Sequence, residues 1–345
     1  MTAPLRFGLR VPPCAPAKEI ADFARRAEDA GVDTVWIPDS QFLWHDVWTT
    51  AALVADRTER IGVGVAVTNF ETRHIAVTAN CVASIDDISG GRAKVAFGTG
   101  DSSVKTIGKR PTPLARMREN VALLRRLLRG EEASWPGPYG DRPMRLKRHA
   151  RREIPVHMAA SGPKSLALAG EIADGVILAA GTAPHLVERG TGFVRAGAER
   201  AGRTLADLDI VLAAHTLVTP DEADAVRQVK PLCLAMAQLG AGAALRAVGI
   251  DIQVPDVVEG VYPDITHAES WDLAVSIADR YIGDEDAERF AANLTLAGTS
   301  GQIGKRIEGA AATGIGSFYL LGPSSYQLPH NQLDAFASTF APYTG

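Results

Sequence analysis

Short apolar runs rich in β-branched residues alternate with segments of helical period along almost the whole chain. No other feature restricts the fold as strongly. The runs fall at 5–11 (LRFGLRV), 34–38 (TVWIP), 61–67 (IGVGVAV), 93–98 (AKVAFG), 154–159 (IPVHMA), 175–180, 208–218 and 316–321 (GSFYLL). Each reads as a strand of a parallel sheet, because strands covered on both faces lose the polar alternation of half-exposed ones. Helical patterns lie between them at 17–30, 47–57, 75–88, 113–129, 162–173, 185–201 and 300–313, and a last one closes the chain near 330–341. Gly31, Gly90-Gly91 and Gly130 follow the first, third and fourth of these helices as stop signals. Eight strand–helix alternations predict an α/β fold, a closed (β/α)8 barrel in one domain over 1–345, rather than an open doubly wound sheet. No G-x-G-x-x-G follows the first strand. The stretch 221–295 is too long for one crossover, and its helical patterns at 222–240, 241–248, 270–282 and 284–293 predict an insertion near the seventh strand, over the barrel mouth. The segment 131–152, rich in Pro, Gly and Arg, reads as a loop.

Hydrophobic residues make up 46% of the 345, enough for a large core. The formal net charge of −4 provides no field that would hold nucleic acid or an anionic membrane, so a small-molecule partner is expected. The N-terminal segment lacks a basic region followed by an apolar one, and no stretch approaches the length of a membrane span; a cytoplasmic protein is expected. Cys14, Cys81 and Cys233 are too widely spaced for a disulfide framework or a CxxC motif. No metal site is expected.

Barrel active sites are built from residues that follow the carboxyl ends of the strands. Here those residues are polar in four successive loops: Asp39, Ser40 and Gln41 with Trp44 and His45; Thr68 and Asn69 with Thr72, Arg73 and His74; Thr99, Gly100, Asp101, Ser102 and Ser103; and Ser161, Gly162 and Lys164. Any one of them is explained as a cap or turn residue. A ring of them suits a polar cofactor or substrate, with Ser40, Gln41 and Trp44 placed for a substrate pocket. Ser161 and Gly162 stand between a strand and a helix, where backbone N–H groups and the helix dipole can hold a phosphate. Gly100 lets backbone approach a flat ring closely. Asp39 and Asp101 are the candidate acid–base groups.

The segments AGVDTVWIPDSQ (30–41), TERIGVGVAVTNFETRHIAVTAN (58–80), IDDISGGRAKVAFGTGD (85–101) and ASGPKSLALAGEIADGVIL (160–178) resemble the luciferase-like barrel oxidoreductases. Within them the chain is similar to the methylenetetrahydromethanopterin reductase-like branch, which uses the deazaflavin coenzyme F420. The resemblance covers essentially the whole chain. It implies a non-prolyl cis peptide between Ala66 and Val67 behind the cofactor ring, Thr68 and Asn69 along the ring edge, and Gly100 and Asp101 near the pocket. It further implies Ser161 and Gly162 on the cofactor phosphate, Gly175, Val176 and Ile177 closing over the ring or its side chain, and proton transfer by Asp39 and Asp101. Phe70 stands where many relatives have proline, and the loop Asp39-Ser40-Gln41-Phe42 lacks the histidine that follows Asp in some sugar-phosphate dehydrogenase relatives, which argues against glucose 6-phosphate as substrate.

The implied reaction is hydride transfer between F420 and a small organic substrate. One alternative is an FMN-dependent two-component monooxygenase served by a partner flavin reductase; another is a non-catalytic flavin-binding barrel. Lys105, Lys109 and Arg110 are candidates to line a path for the anionic tail of F420. A homodimer is implied, through helices after the second and third strands; helix 75–88 is rich in small and apolar residues.

Overall fold

The computed structural model describes residues 4–135 and 140–345. In chain order its elements are β1 Arg6–Arg10, α1 Ala17–Asp29, β2 Thr34–Ile37, α2 Val47–Arg57, β3 Gly62–Thr68, α3 Ile75–Ile88, β4 Ala93–Phe97, α4 Ser102–Lys105, α5 Leu114–Leu128, β5 Ala133–Trp135, β6 Arg142–Met144, β7 Val156–Ala160, α6 Pro163–Ile172, β8 Gly175–Leu178, α7 Pro184–Arg200 and β9 Asp209–Val218. Then come α8 Glu222–Gln238, α9 Gly242–Arg246, α10 Trp271–Ala278, α11 Asp284–Leu294, β10 Leu296–Gly298, α12 Ser300–Ala312, β11 Ser317–Leu321, α13 His330–Asp334 and α14 Phe336–Thr339. This is the element order of a (β/α)8 barrel with a helical insertion after its seventh strand.

The elements fall into two compact units. One comprises Ala15–Leu178 with Gly190–Val211. Its strands are parallel in the order β2-β3-β4-β7-β8, in registers such as Thr34↔Gly62, Val95↔Val156 and His157↔Gly175. Side-chain volume is matched across neighbours. A Cβ on Gly64 would lie 2.2 Å from the Trp36 ring, so glycine makes the space that the indole fills. Outside the strands, α6 and α7 meet at Gly170 and Gly197, where a Cβ would strike the carbonyls of Val194 and Ala167. Glu28, buried near the end of α1, accepts the backbone N–H groups of Glu59, Arg60 and Ile61 and so ties α1 to the turn before β3.

The other unit holds the segment ending at Cys14, Ala179–Arg189 and Leu212–Gly345. In it β1 pairs with β11 and β10 with β9, all parallel. Phe7 stacks on Phe318 at 5.3 Å and meets Phe340 at 5.4 Å, an aromatic core beside β1 and β11. The insertion buries its own apolar cluster, including Val229, Leu234, Trp271, Val275 and Phe290. Among the described residues no helix is long and apolar enough to cross a membrane.

Two expectations need correction, and one strand went unpredicted. The stretch 131–152 is not all loop: β5 and β6 form an antiparallel pair, Ala133↔Met144 to Trp135↔Arg142. Strands of three residues show no period that could distinguish them from a turn. The last helix is two, interrupted at Ala335. The strand β10, also three residues, pairs with β9 beyond the insertion.

Candidate active site

Three neighbouring strands of the first unit carry most of the candidate residues. β3 ends in a bulge: its register against β4 shifts between Val65 and Thr68, and the Ala66–Val67 peptide is cis. The bond lies where the family resemblance implied it. Gly98, after β4, lies against this bulge, where a Cβ would fall 2.8 Å from Val67 Cγ1. Gly100 has φ +100°, a left-handed conformation that glycine adopts without strain, and a Cβ there would collide with Val104. Below, Phe70 stacks on Phe97 with centroids 4.1 Å apart and planes 2° from parallel, which gives the departure from proline at position 70 a packing role.

The polar ring is knitted together by direct hydrogen bonds. Asp39 is buried, and its Oδ2 accepts from the Thr68 hydroxyl at 2.7 Å and from Arg73 Nη1 at 2.6 Å. Arg73 also reaches Asp46 Oδ2 at 3.2 Å. Burial alone would lower the Arg73 pKa, but the two carboxylates outweigh it and raise it. Asp46 caps α2 through Thr49; burial raises its pKa, and the Thr49 and Arg73 donors more than reverse that, so the carboxyl stays below its ordinary range. Ser40 and Ser102 share a hydroxyl–hydroxyl bond of 3.1 Å, and Gln41 Nε2 donates to the Ser103 carbonyl at 2.6 Å. Asn69 donates to Ser103 Oγ at 3.0 Å, while its Oδ1 accepts from Glu71 N and Thr72 N and shapes the loop after β3. Trp44 is half-buried and His45 exposed beside them.

Asp101 is placed differently. Its side chain is more than half exposed and pairs with Lys105 one turn on. Lys109 donates to the Glu71 carbonyl at 2.7 Å, so two of the three basic residues assigned to an anionic tail already have protein partners. Ser161 is exposed and Gly162 half-buried at the start of α6, where no side chain caps the helix and Pro163 occupies the first turn. The N–H groups of its first turn therefore have no side-chain cap, and helix N-termini of this kind suit an anion. Gly175 begins β8 opposite His157, where the His157 ring occupies the space of a Cβ; Val176 and Ile177 are buried strand residues. All three therefore precede the carboxyl end of their strand.

Sequence reasoning did not single out Arg10 or His215. Arg10 ends β1 and donates from Nη2 to the Ser324 carbonyl at 3.1 Å. A cation within the apolar run LRFGLRV was the available signal. Among the described residues, no group of His, Cys, Asp and Glu is arranged to hold a metal ion.

The family model for luciferase-like monooxygenases matches residues 2–317. The chain belongs to this luciferase-like family. It is 35% identical over 226 residues to the 5,10-methylenetetrahydromethanopterin reductase of Methanolobus tindarius, covering 64% of this chain and 68% of that one. It is 30% identical over 256 residues to an F420-dependent glucose-6-phosphate dehydrogenase of Microbacterium testaceum, covering 68% and 75% respectively. Among solved structures, the coenzyme F420-dependent tetrahydromethanopterin reductase of Methanopyrus kandleri superposes with a TM-score of 0.81 at 24% identity, over 99% of this chain and 100% of that one. The luciferase-like (β/α)8 barrel is thereby established as its fold.

Proposed function

We propose that the luciferase-like chain is an F420-dependent oxidoreductase that transfers a hydride to or from a small organic substrate. The observation that carries this reading is the cis Ala66–Val67 bulge, backed by Gly98 and bordered by the hydrogen-bonded ring of Thr68, Asn69, Ser102 and Ser103. The relatives named for F420 point the same way. When bound, the deazaflavin supplies hydride transfer at its C5 position.

The residues fit such a group. Ala66 and Val67 would back its ring, Thr68, Asn69 and Gly100 would border it, and Ser161 with the uncapped start of α6 would take its phosphate. Asp39, spent on Thr68 and Arg73, acts here as a positioning residue for the loop after β3, while Asp101, facing solvent, is the carboxylate that exchanges a proton. Ser40, Gln41 and Trp44 border the substrate, and Gly175, Val176 and Ile177 support the ring from within their strand. We further propose a cytoplasmic homodimer formed through α2 and α3, since Val77 and Ile88 on α3 are about half exposed. Glucose 6-phosphate is a poor substrate in this reading.

The test is a turnover assay with reduced F420 against enones, imines, ketones and aldehydes, followed by the return of oxidised-cofactor absorbance. Turnover that is independent of oxygen supports the reading. Oxygen consumption with reduced FMN, and none with F420, would assign the chain to the two-component monooxygenases instead.

A further inference from the structure

A cavity of about 290 Å³ opens in the first unit at the amino-terminal end of β4 and β7, the end of the strands opposite to the candidate active site. Its walls are the end of α3 and the segment that leads into β7, and both are fixed. Arg152 donates to Asp86 Oδ1 from Nε at 3.0 Å and from Nη2 at 2.7 Å, and Nη2 also reaches the Ala93 carbonyl at 3.1 Å. Gly91, with φ +92°, leaves room for this guanidinium, since a Cβ there would lie 3.1 Å from Arg152 Nε. Ala150 N donates to the Leu128 carbonyl at 3.0 Å, and the His149 ring fills the space of a Cβ on Gly130. His149 Nδ1 meets the Ala150 carbonyl at 2.8 Å and so carries the hydrogen. Three lining groups are left without a partner among the described residues: the Arg151 guanidinium, the Asp87 carboxylate and His149 Nε2. The surroundings are one-sided in charge. Residues 142–152 read RPMRLKRHARR, six cations and no acid in a chain of net charge −4. Arg145, Lys147, Arg148 and Arg151 are exposed and have no carboxylate partner among the described residues. Such a strip raises the local potential and draws anions toward the cavity.

We propose that this cavity binds a small phosphate monoester that carries a free hydroxyl, with the phosphoryl oxygens on Arg151 and His149 and the hydroxyl donating to Asp87. A guanidinium matches two phosphoryl oxygens at once, and the cationic strip favours the higher charge of a phosphate over that of a carboxylate. The imidazole serves either form, accepting from a protonated phosphate oxygen or donating once it carries a second proton. Asp87 repels a bare phosphate and is satisfied by a donor on the ligand, so the hydroxyl is part of the recognition. The volume lies at the lower bound of ligand pockets, about 300 Å³, which suits a polyol phosphate better than a nucleotide. The site lies at the other end of the strands from the groups assigned to the deazaflavin and does not rest on the proposed oxidoreductase activity.

The full-length protein without cofactor is titrated by calorimetry with glycerol 3-phosphate, propyl phosphate and glycerol at matched ionic strength. Glycerol 3-phosphate binds most tightly, propyl phosphate several-fold more weakly, and glycerol gives no heat of binding. Arg151→Gln weakens both phosphates about tenfold or more, whereas Arg145→Gln, which alters the strip outside the cavity, changes them by less than about twofold. Asp87→Ala removes the preference for the hydroxylated ligand. Arg151→Gln melts with the parent, because the guanidinium has no protein partner to lose, and its deazaflavin affinity stays within about threefold of the parent. Absence of glycerol 3-phosphate binding, equal binding of propyl phosphate by the parent, or a preference that survives in Asp87→Ala overturns the site. Equal losses in Arg145→Gln and Arg151→Gln would mean diffuse attraction to the strip and overturn it as well. A lower melting point or a lost deazaflavin affinity in Arg151→Gln, showing that the residue serves the fold or the cofactor, overturns it too.

Discussion

Replacing Arg73 with alanine isolates the ion pair that organises the loops after β2 and β3. The carboxylate of Asp39 is only 2% exposed, and Arg73 Nη1 lies 2.6 Å from its Oδ2. Removing one partner of a buried pair leaves an uncompensated charge, at a cost of about 3–5 kcal/mol. Two features reduce that figure here. The Thr68 hydroxyl keeps its 2.7 Å bond to the same oxygen, and Arg73 is one-fifth exposed, so water enters the space it leaves. We expect a loss of about 2–3 kcal/mol near neutral pH. Urea unfolding of the parent, Arg73→Ala, Asp39→Asn and the double variant measures it, with a coupling between the two sites of about 1–2 kcal/mol. A loss below about 0.5 kcal/mol, or additive single effects, would mean the pair is solvated and does not hold the loops.

Other expectations concern single sites. Gly98→Ala places a Cβ 2.8 Å from Val67 Cγ1. It should destabilise by about 1–3 kcal/mol and weaken deazaflavin binding about tenfold, read by unfolding and fluorescence titration. Burial alone would raise the Glu28 pKa, but three backbone N–H bonds outweigh it and lower it. Its stabilisation is therefore present above the ordinary carboxylate pKa and is lost as pH falls through the depressed folded value. Glu28→Gln should cost about 2 kcal/mol near neutrality, a difference that narrows on acidification below about pH 4, seen in unfolding free energies across pH. His215, pushed down to about 3, resists protonation when folded, whereas the unfolded chain takes up the proton near the usual histidine value. The parent should therefore lose stability between about pH 6.5 and pH 4 faster than His215→Phe does; equal slopes would show the imidazole to be solvated.

The parallel barrel was legible because its helices and strands are long enough to show a period. The predicted helix 75–88 coincides with α3, and the helices of the insertion lie within a few residues of the observed ones. The β5–β6 pair was not legible, since three residues of strand in a Pro- and Gly-rich segment carry no pattern. In the site, the polar residues could be found because barrel strands announce where their carboxyl ends fall. The pairing of Arg73 with Asp39, 34 residues apart, depends on side chains brought together by the sheet, and no local signal encodes it. Asp101 shows the converse: its position after β4 was predictable, its outward ion pair with Lys105 was not.

The central claim is that the cis bulge at Ala66–Val67 and the uncapped start of α6 hold a deazaflavin. It is tested most directly by titrating the purified protein with oxidised F420 and, separately, with FMN, each followed by fluorescence quenching. We predict a dissociation constant on the order of micromolar or tighter for F420 and much weaker binding of FMN, with the F420 affinity reduced when Gly162 is replaced by proline. Tighter binding of FMN, or binding of neither, would contradict the account.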